Sequence, residues 1–96
     1  MKQPIYKIRI SDRLAGVIRG LHPQLKRKIK ASLKIILSNP DEGKGLRDEL
    51  AGLRSFRVGR FRIIYRVEKN CLEIVAIGPR ERIYEETFLI LKKEQR

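Results

Sequence analysis

Five arginines, Arg54, Arg57, Arg60, Arg62 and Arg66, fall in a stretch without a single acid. They are interleaved with Phe56, Val58, Phe61, Ile63, Tyr65 and Val67 in a largely period-two pattern, the mark of half-buried strands. Planar guanidinium forks match phosphate oxygens, so the chemistry on offer is recognition of a phosphate. If Phe56 and Val58 point into a core, Ser55 and Arg57 point outward; if Phe61, Ile63 and Tyr65 point in, Arg62 and Arg66 join Arg57 outside. A hairpin centred on Gly59-Arg60 then sets Arg57 beside Arg62. Like charges facing each other across strands are destabilising, so the pair reads as bridged by an anion or as two arginines extended into water. Arg80 follows the last strand-like segment and Tyr84 comes one helical turn later, a position from which both reach the same sheet surface. Tyr84 reads equally as a core aromatic.

Other chemistries fail on inventory. The chain holds one histidine and one cysteine, which excludes an internal disulfide and the usual Cys/His zinc sites. His22 precedes a proline at a helix junction with no nucleophile beside it and reads as a cap or surface residue. Cys71, next to a turn, reads as a half-buried strand residue. No Gly-rich phosphate loop follows the first strand, and the pairs Asp41-Glu42 and Asp48-Glu49 are adjacent rather than spaced for a magnesium ion. No cofactor is expected, and cutting of nucleic acid here would proceed without a metal.

The chain has 96 residues, 23 Lys+Arg against 11 Asp+Glu, and a net charge of +12. Such a surface attracts polyanions and gains affinity by releasing their counterions. A second acid-free run, from Arg13 to Pro40, includes Lys26 and Lys30 and reads as the solvated face of helices. The length suits a single domain over residues 1–96. Apolar runs never exceed four residues, so no membrane span is expected. Nor does a secretory apolar region follow the N-terminus, and the expected location is the cytoplasm.

The elements that must position these residues are legible as patterns. Residues 4–10 alternate, with Ile8 and Ile10 expected to face a core and Lys7 and Arg9 to lie outside. Ser11 offers an N-cap, and Leu14, Val17, Ile18 and Leu21 form a helical stripe. His22-Pro23 breaks that helix and Pro23 begins another, whose stripe is Leu25, Ile29, Leu33, Ile36 and Leu37, ending at Asn39-Pro40. Residues 41–45 read as a loop, and Leu46–Leu53 reads as helical or extended. Two hairpins follow, turning at Gly59-Arg60 and at Lys69-Asn70, where Asn tolerates left-handed angles. Leu72–Ile77 is apolar on both faces and belongs inside a sheet. Arg82–Lys93 has helical potential, with Tyr84, Phe88 and Leu91 on one side. The order β-α-α-β-β-β-α predicts an α+β fold, a helical hairpin and a C-terminal helix packed on a small, mostly antiparallel sheet.

Three groups of residues carry a family resemblance. They are Asn39-Pro40, Gly43-Lys44, Leu46, Glu49-Leu50 and Gly52-Leu53-Arg54-Ser55; then the run Arg57-Val58-Gly59-Arg60-Phe61-Arg62-Ile63-Ile64-Tyr65-Arg66-Val67; then Ile77-Gly78-Pro79-Arg80 with Ile83-Tyr84. Together they closely resemble the RelE/ParE superfamily of bacterial and archaeal toxin–antitoxin toxins. The resemblance spans nearly the whole chain and implies the same element order.

It also implies a function. RelE-like members cleave mRNA in the ribosomal A site; ParE-like members inhibit DNA gyrase. By motif position Arg57, Arg62, Arg80 and Tyr84 match the residues that in RelE-like toxins bind the scissile phosphate, stabilise charge and orient the base. The expected reaction is attack of a 2′-hydroxyl on the adjacent phosphate, with Tyr84 stacking on a base or accepting a proton. Arg54, Arg60, Arg66, Arg82, Lys26 and Lys30 would hold the surrounding RNA. The alternatives are a gyrase inhibitor or a catalytically weak nucleic-acid-binding member. Implied partners are the ribosome with its mRNA and a cognate antitoxin, an acidic and partly disordered chain forming a hetero-oligomer with the toxin. In one respect the sequence departs from the pattern: some members carry a lysine two residues before the Arg57 position, where this chain has Ser55. Arginine cannot replace that lysine in proton transfer, because it stays protonated, so the general base is unassigned.

Overall fold

The computed structural model describes residues 7–94. Strand β1 (Lys7–Ile10) leads into α1 (Asp12–Arg19) and α2 (Pro23–Ser38); β2 (Lys44–Gly45), β3 (Arg54–Val58), β4 (Phe61–Glu68) and β5 (Cys71–Pro79) follow, and α3 (Ile83–Glu94) closes the order. The strands form one sheet in the order β1-β5-β4-β3-β2. Only β1 pairs in parallel, with β5; the other pairs are antiparallel. The α+β architecture and element order match expectation, with β2 as an added edge strand in what reads as loop. The portion of the first strand before Lys7 lies outside the described residues.

The helix boundaries follow from capping chemistry. Ser11 Oγ accepts from the Leu14 amide at 3.1 Å, opening α1. His22 caps α2 through Nδ1, which accepts from the Gln24 amide at 3.2 Å, and Pro23 occupies the first turn, where no amide hydrogen is needed. Both helices cover one sheet face. There Leu14, Ile29 and Ile36 bury against Val58, Ile63, Tyr65, Leu72, Ile74 and Ile77, with Ile10, Ile18, Leu21 and Leu25 at the margin. Two expected core residues are not enclosed: Ile8 is 39% exposed because β1 is an edge strand, and Val17 on α1 is 44% exposed.

The opposite face is shorter of cover. Ile83 of α3 packs there on Leu53, Ile64 and Ala76, with Leu46, Leu50, Tyr84, Ile90 and Leu91 around them. Residues 46–53 form neither an α-helix nor a strand: one turn of 3-10 helix (Asp48–Leu50) lies at their centre, and Leu46, Leu50 and Leu53 pack in the cluster around Ile83 of α3. Thr87 rather than Phe88 faces the sheet; Phe88 is 40% exposed. A shift of register between Ile64 and Tyr65 leaves Val75 without a partner on β4. This β-bulge puts Ala76 on the α3 face and Ile77 on the other. At the β4–β5 turn Lys69, not Asn70, takes the left-handed angle, with φ 55°.

One buried contact fixes where β2 starts. Tyr65, fully buried, donates its hydroxyl hydrogen to Pro40 O at 2.7 Å and accepts from the Gly43 amide at 2.8 Å. A Cβ on Gly43 would stand 2.5 Å from that hydroxyl, so only glycine allows the approach. Lys44 then pairs with Ser55 and Gly45 with Arg54.

Candidate functional site

Strand alternation sorts the arginines. Phe56 and Ile63 are register partners on the face covered by α1 and α2; Ser55 and Ile64, and Arg57 and Arg62, are partners on the α3 face. Arg57 and Arg62 therefore stand directly opposite each other on that face. Among the described residues neither is ion-paired with a carboxylate. Arg57 is exposed, and its Nε donates to the Gly59 carbonyl of its own turn at 3.3 Å. Arg62 is half-buried: Nη1 donates to Ser55 Oγ at 3.1 Å, while Nε is enclosed without a partner. Two facing cations and an orphaned buried donor are both destabilising, as expected of a surface kept for an anion.

Tyr84 joins this surface from α3. Its hydroxyl lies 3.2 Å from Ser55 Oγ, so Arg62, Ser55 and Tyr84 form one continuous chain of polar groups. Ser55 is 2% exposed. Arg80 sits just past β5, its amide donating to the Arg60 carbonyl at 2.9 Å. It lies two residues beyond Gly78, the partner of Arg62, which brings Arg57, Arg62 and Arg80 to one end of the sheet. Gly78 matters here because α3 begins against it: a Cβ would meet Ile83 Cδ1 at 3.1 Å and Glu86 Oε2 at 3.4 Å. Arg60 and Arg82 are exposed at the same end, on the β3–β4 turn and before α3.

The remaining expected RNA contacts are placed elsewhere. Arg54 lies on the other face and clamps the loop after α2: Nη1 donates to Gly43 O at 2.7 Å and to Asp41 O at 3.3 Å, and Nη2 pairs with Asp41 Oδ1 at 3.3 Å. Arg66 does share the α3 face, but it is paired with Glu73 at 2.5 Å, with Glu94 at 3.6 Å and with Glu68 at 4.0 Å. Burial alone pushes the Glu73 carboxyl upward, yet hydrogen bonds and charge from Arg66 and Arg9 outweigh it and hold Glu73 below the usual carboxylate range. Arg66 thus ties the end of α3 to the sheet. Lys26 of α2 caps α1, its Nζ donating to Arg19 O at 3.0 Å, and Lys30 is exposed on α2, across the sheet from Arg62. Sequence reasoning missed Lys44. Exposed on β2 as the register partner of Ser55, it shares the face of Arg57 and Arg62; a two-residue strand leaves no periodicity to find it by.

Known proteins share this fold. Residues 6–84 match the family described as ParE toxin of type II toxin–antitoxin system, parDE. No curated protein matches by sequence. Among solved structures, the chain is similar to one in the RelBE2 toxin–antitoxin complex of Mycobacterium tuberculosis, with 26% identity, 78% of this chain and 98% of that chain covered, and a TM-score of 0.68. A free E. coli RelE mutant shares the fold at 20% identity over 94% of this chain and 97% of that one, with a TM-score of 0.75. A chain of the YoeB–YefM complex of Staphylococcus aureus does so at 24% identity, covering 76% and 94%, with a TM-score of 0.64.

Proposed function

This chain belongs to the ParE toxin family of type II toxin–antitoxin systems, and from that premise we propose that it is a ribosome-dependent endoribonuclease that stops translation by cutting mRNA. The observation that carries this reading is the unpaired Arg57–Arg62 couple on an open sheet surface, joined through Ser55 to Tyr84. An mRNA phosphate laid across the couple would receive two guanidinium forks. The 2′-oxygen of the preceding ribose attacks phosphorus, the bond to the 5′-oxygen breaks, and a cyclic phosphate and a 5′-hydroxyl result. Charge accumulates on the phosphorane oxygens, where Arg57, Arg62 and Arg80 stabilise it; preorganised groups of this kind contribute about 3–4 kcal/mol each. Tyr84 stacks on a neighbouring base or exchanges a proton. The surface is shallow, and the ribosome supplies the alignment of message that a deep cleft would otherwise give.

The same reading assigns the partners. The chain's net charge of +12 suits an acidic antitoxin, and several similar structures are toxin–antitoxin complexes. A second reading is favoured by the family match itself, which is to ParE: inhibition of DNA gyrase through surface contacts, with message left intact. Mapping message ends by primer extension after induction separates the two. Endoribonuclease action predicts new 5′ ends that vanish, along with growth arrest, in Arg62→Ala and Arg80→Ala variants that melt like the wild type. Growth arrest with intact message and altered plasmid supercoiling would support gyrase inhibition instead.

A further inference from the structure

We infer that Ser55 is a positioning residue for this surface, holding Arg62 in place and turning the Tyr84 hydroxyl hydrogen outward as a proton donor. The inference rests on the ribonuclease reading above and follows from counting donors. A guanidinium has hydrogens to give and no acceptor, so in the 3.1 Å contact Arg62 Nη1 donates and Ser55 Oγ accepts. Ser55 is 2% exposed, and its one hydrogen has a single side-chain partner among the described residues, the Tyr84 oxygen at 3.2 Å. Were Tyr84 the donor, the serine hydrogen would be buried with nowhere to go, at the full desolvation penalty. The bonds therefore run in one direction, from Arg62 to Ser55 to Tyr84. The tyrosine oxygen accepts, and its own hydrogen is left for the open surface.

That direction gives Tyr84 a definite task. As the 2′-oxygen attacks phosphorus and its proton passes to water, the bond from phosphorus to the 5′-oxygen breaks and that oxygen takes the Tyr84 proton. The phenolate left behind keeps the Ser55 hydrogen bond, with the Arg62 charge behind it, until water returns a proton. Tyr84 thus acts as a donor to the leaving group rather than as an acceptor from the 2′-hydroxyl. The enclosed, partnerless Nε of Arg62 fits the same picture. The guanidinium is held by Ser55 at the expense of one of its own hydrogen bonds, as befits a group positioned for a reaction.

The test uses purified full-length protein with programmed ribosomes, reading the single-turnover cleavage rate and the half-saturating concentration separately. Ser55→Ala should lower the rate by roughly tenfold to a hundredfold, the usual range for misplaced catalytic groups, with half-saturation unchanged. Ser55→Thr, which keeps the hydroxyl, should recover most of the loss. Because Ser55 acts through both Tyr84 and Arg62, Ser55→Ala combined with Tyr84→Phe should lose less than the product of the two single losses while remaining slower than Tyr84→Phe alone. A wild-type rate in a folded Ser55→Ala protein, or additive losses in the double variant, would overturn the inference while leaving the ribonuclease reading intact. Nitrogen-15 NMR of the Arg62 side chain gives a readout independent of cleavage. Slow rotation of its Nη groups should be seen in the wild type and Ser55→Thr and lost in Ser55→Ala. Rotation unaffected by Ser55→Ala overturns the bridge itself, whereas a bridge that persists in a wild type unable to cut message overturns the reaction.

Discussion

Replacing Tyr65 by phenylalanine removes one oxygen atom from a fully buried side chain and leaves the ring packing unchanged. Two partners lose a bond. The Gly43 amide is buried and has no other acceptor, so stranding it costs about 1–3 kcal/mol. The Pro40 carbonyl is partly exposed and can take a water, so its loss is nearer the net value of a hydrogen bond, about 0.5–1.5 kcal/mol. The sum is about 1.5–4.5 kcal/mol, a large part of the roughly 5–14 kcal/mol that holds a chain of this length folded. Urea unfolding should show that loss at an unchanged slope, and the melting point should fall by roughly 6–36 °C. The variant should also lose a pH dependence. Burial raises the Tyr65 phenol above its ordinary value. Its contribution is therefore complete below about pH 10 and lost as pH rises from there through the folded-state value. A loss under about 1 kcal/mol, or an alkaline transition identical to the wild type's, would refute the reasoning.

Three further outcomes follow from the same contacts. Gly43→Ala forces a methyl to within 2.5 Å of the Tyr65 hydroxyl and should destabilise by about 1–3 kcal/mol, read in the same urea titration. Glu73 titrates below the usual carboxylate range, so its stabilisation is complete above about pH 4.3 and lost as pH falls through the lowered value. Glu73→Gln should flatten the urea midpoint between pH 5 and pH 2 by that share, to about the precision of the titration. Arg57→Thr removes a like charge facing Arg62 and should raise stability by about 0.2–1 kcal/mol while abolishing growth arrest, a trade that thermal melts and induction plates report together.

Much of this arrangement is legible in the residues. Alternation through Phe56, Val58, Phe61 and Ile63 places Arg57 and Arg62 on one face, and Gly59-Arg60 makes them neighbours, because a period of two and a tight turn leave little freedom. The caps at Ser11 and His22 are equally local. What escapes the sequence is nonlocal or too short to have a period. Lys44–Gly45 is a two-residue strand, aligned with Ser55 only because Gly43 meets Tyr65 twenty-two positions on. Arg66 looks like another outward cation until register sets Glu73 beside it. Arg54 belongs to the inner face by alternation, and only the fold brings Asp41 and Gly43 within its reach. The bulge at Val75 is hidden in a strand whose residues are apolar on both faces, so a slip of one position changes no pattern. Ser55 reads in sequence as the loss of a lysine. In the fold it is the atom that links Arg62 to Tyr84.

The most direct measurement of the account is the fate of a defined message on programmed ribosomes given the purified wild type and its Arg62→Ala variant. The account predicts a discrete cut with a 5′-hydroxyl downstream end and a cyclic phosphate upstream in the first case, and full-length message in the second. Intact message with the wild type, or equal cutting by an Arg62→Ala protein that is folded, would contradict it.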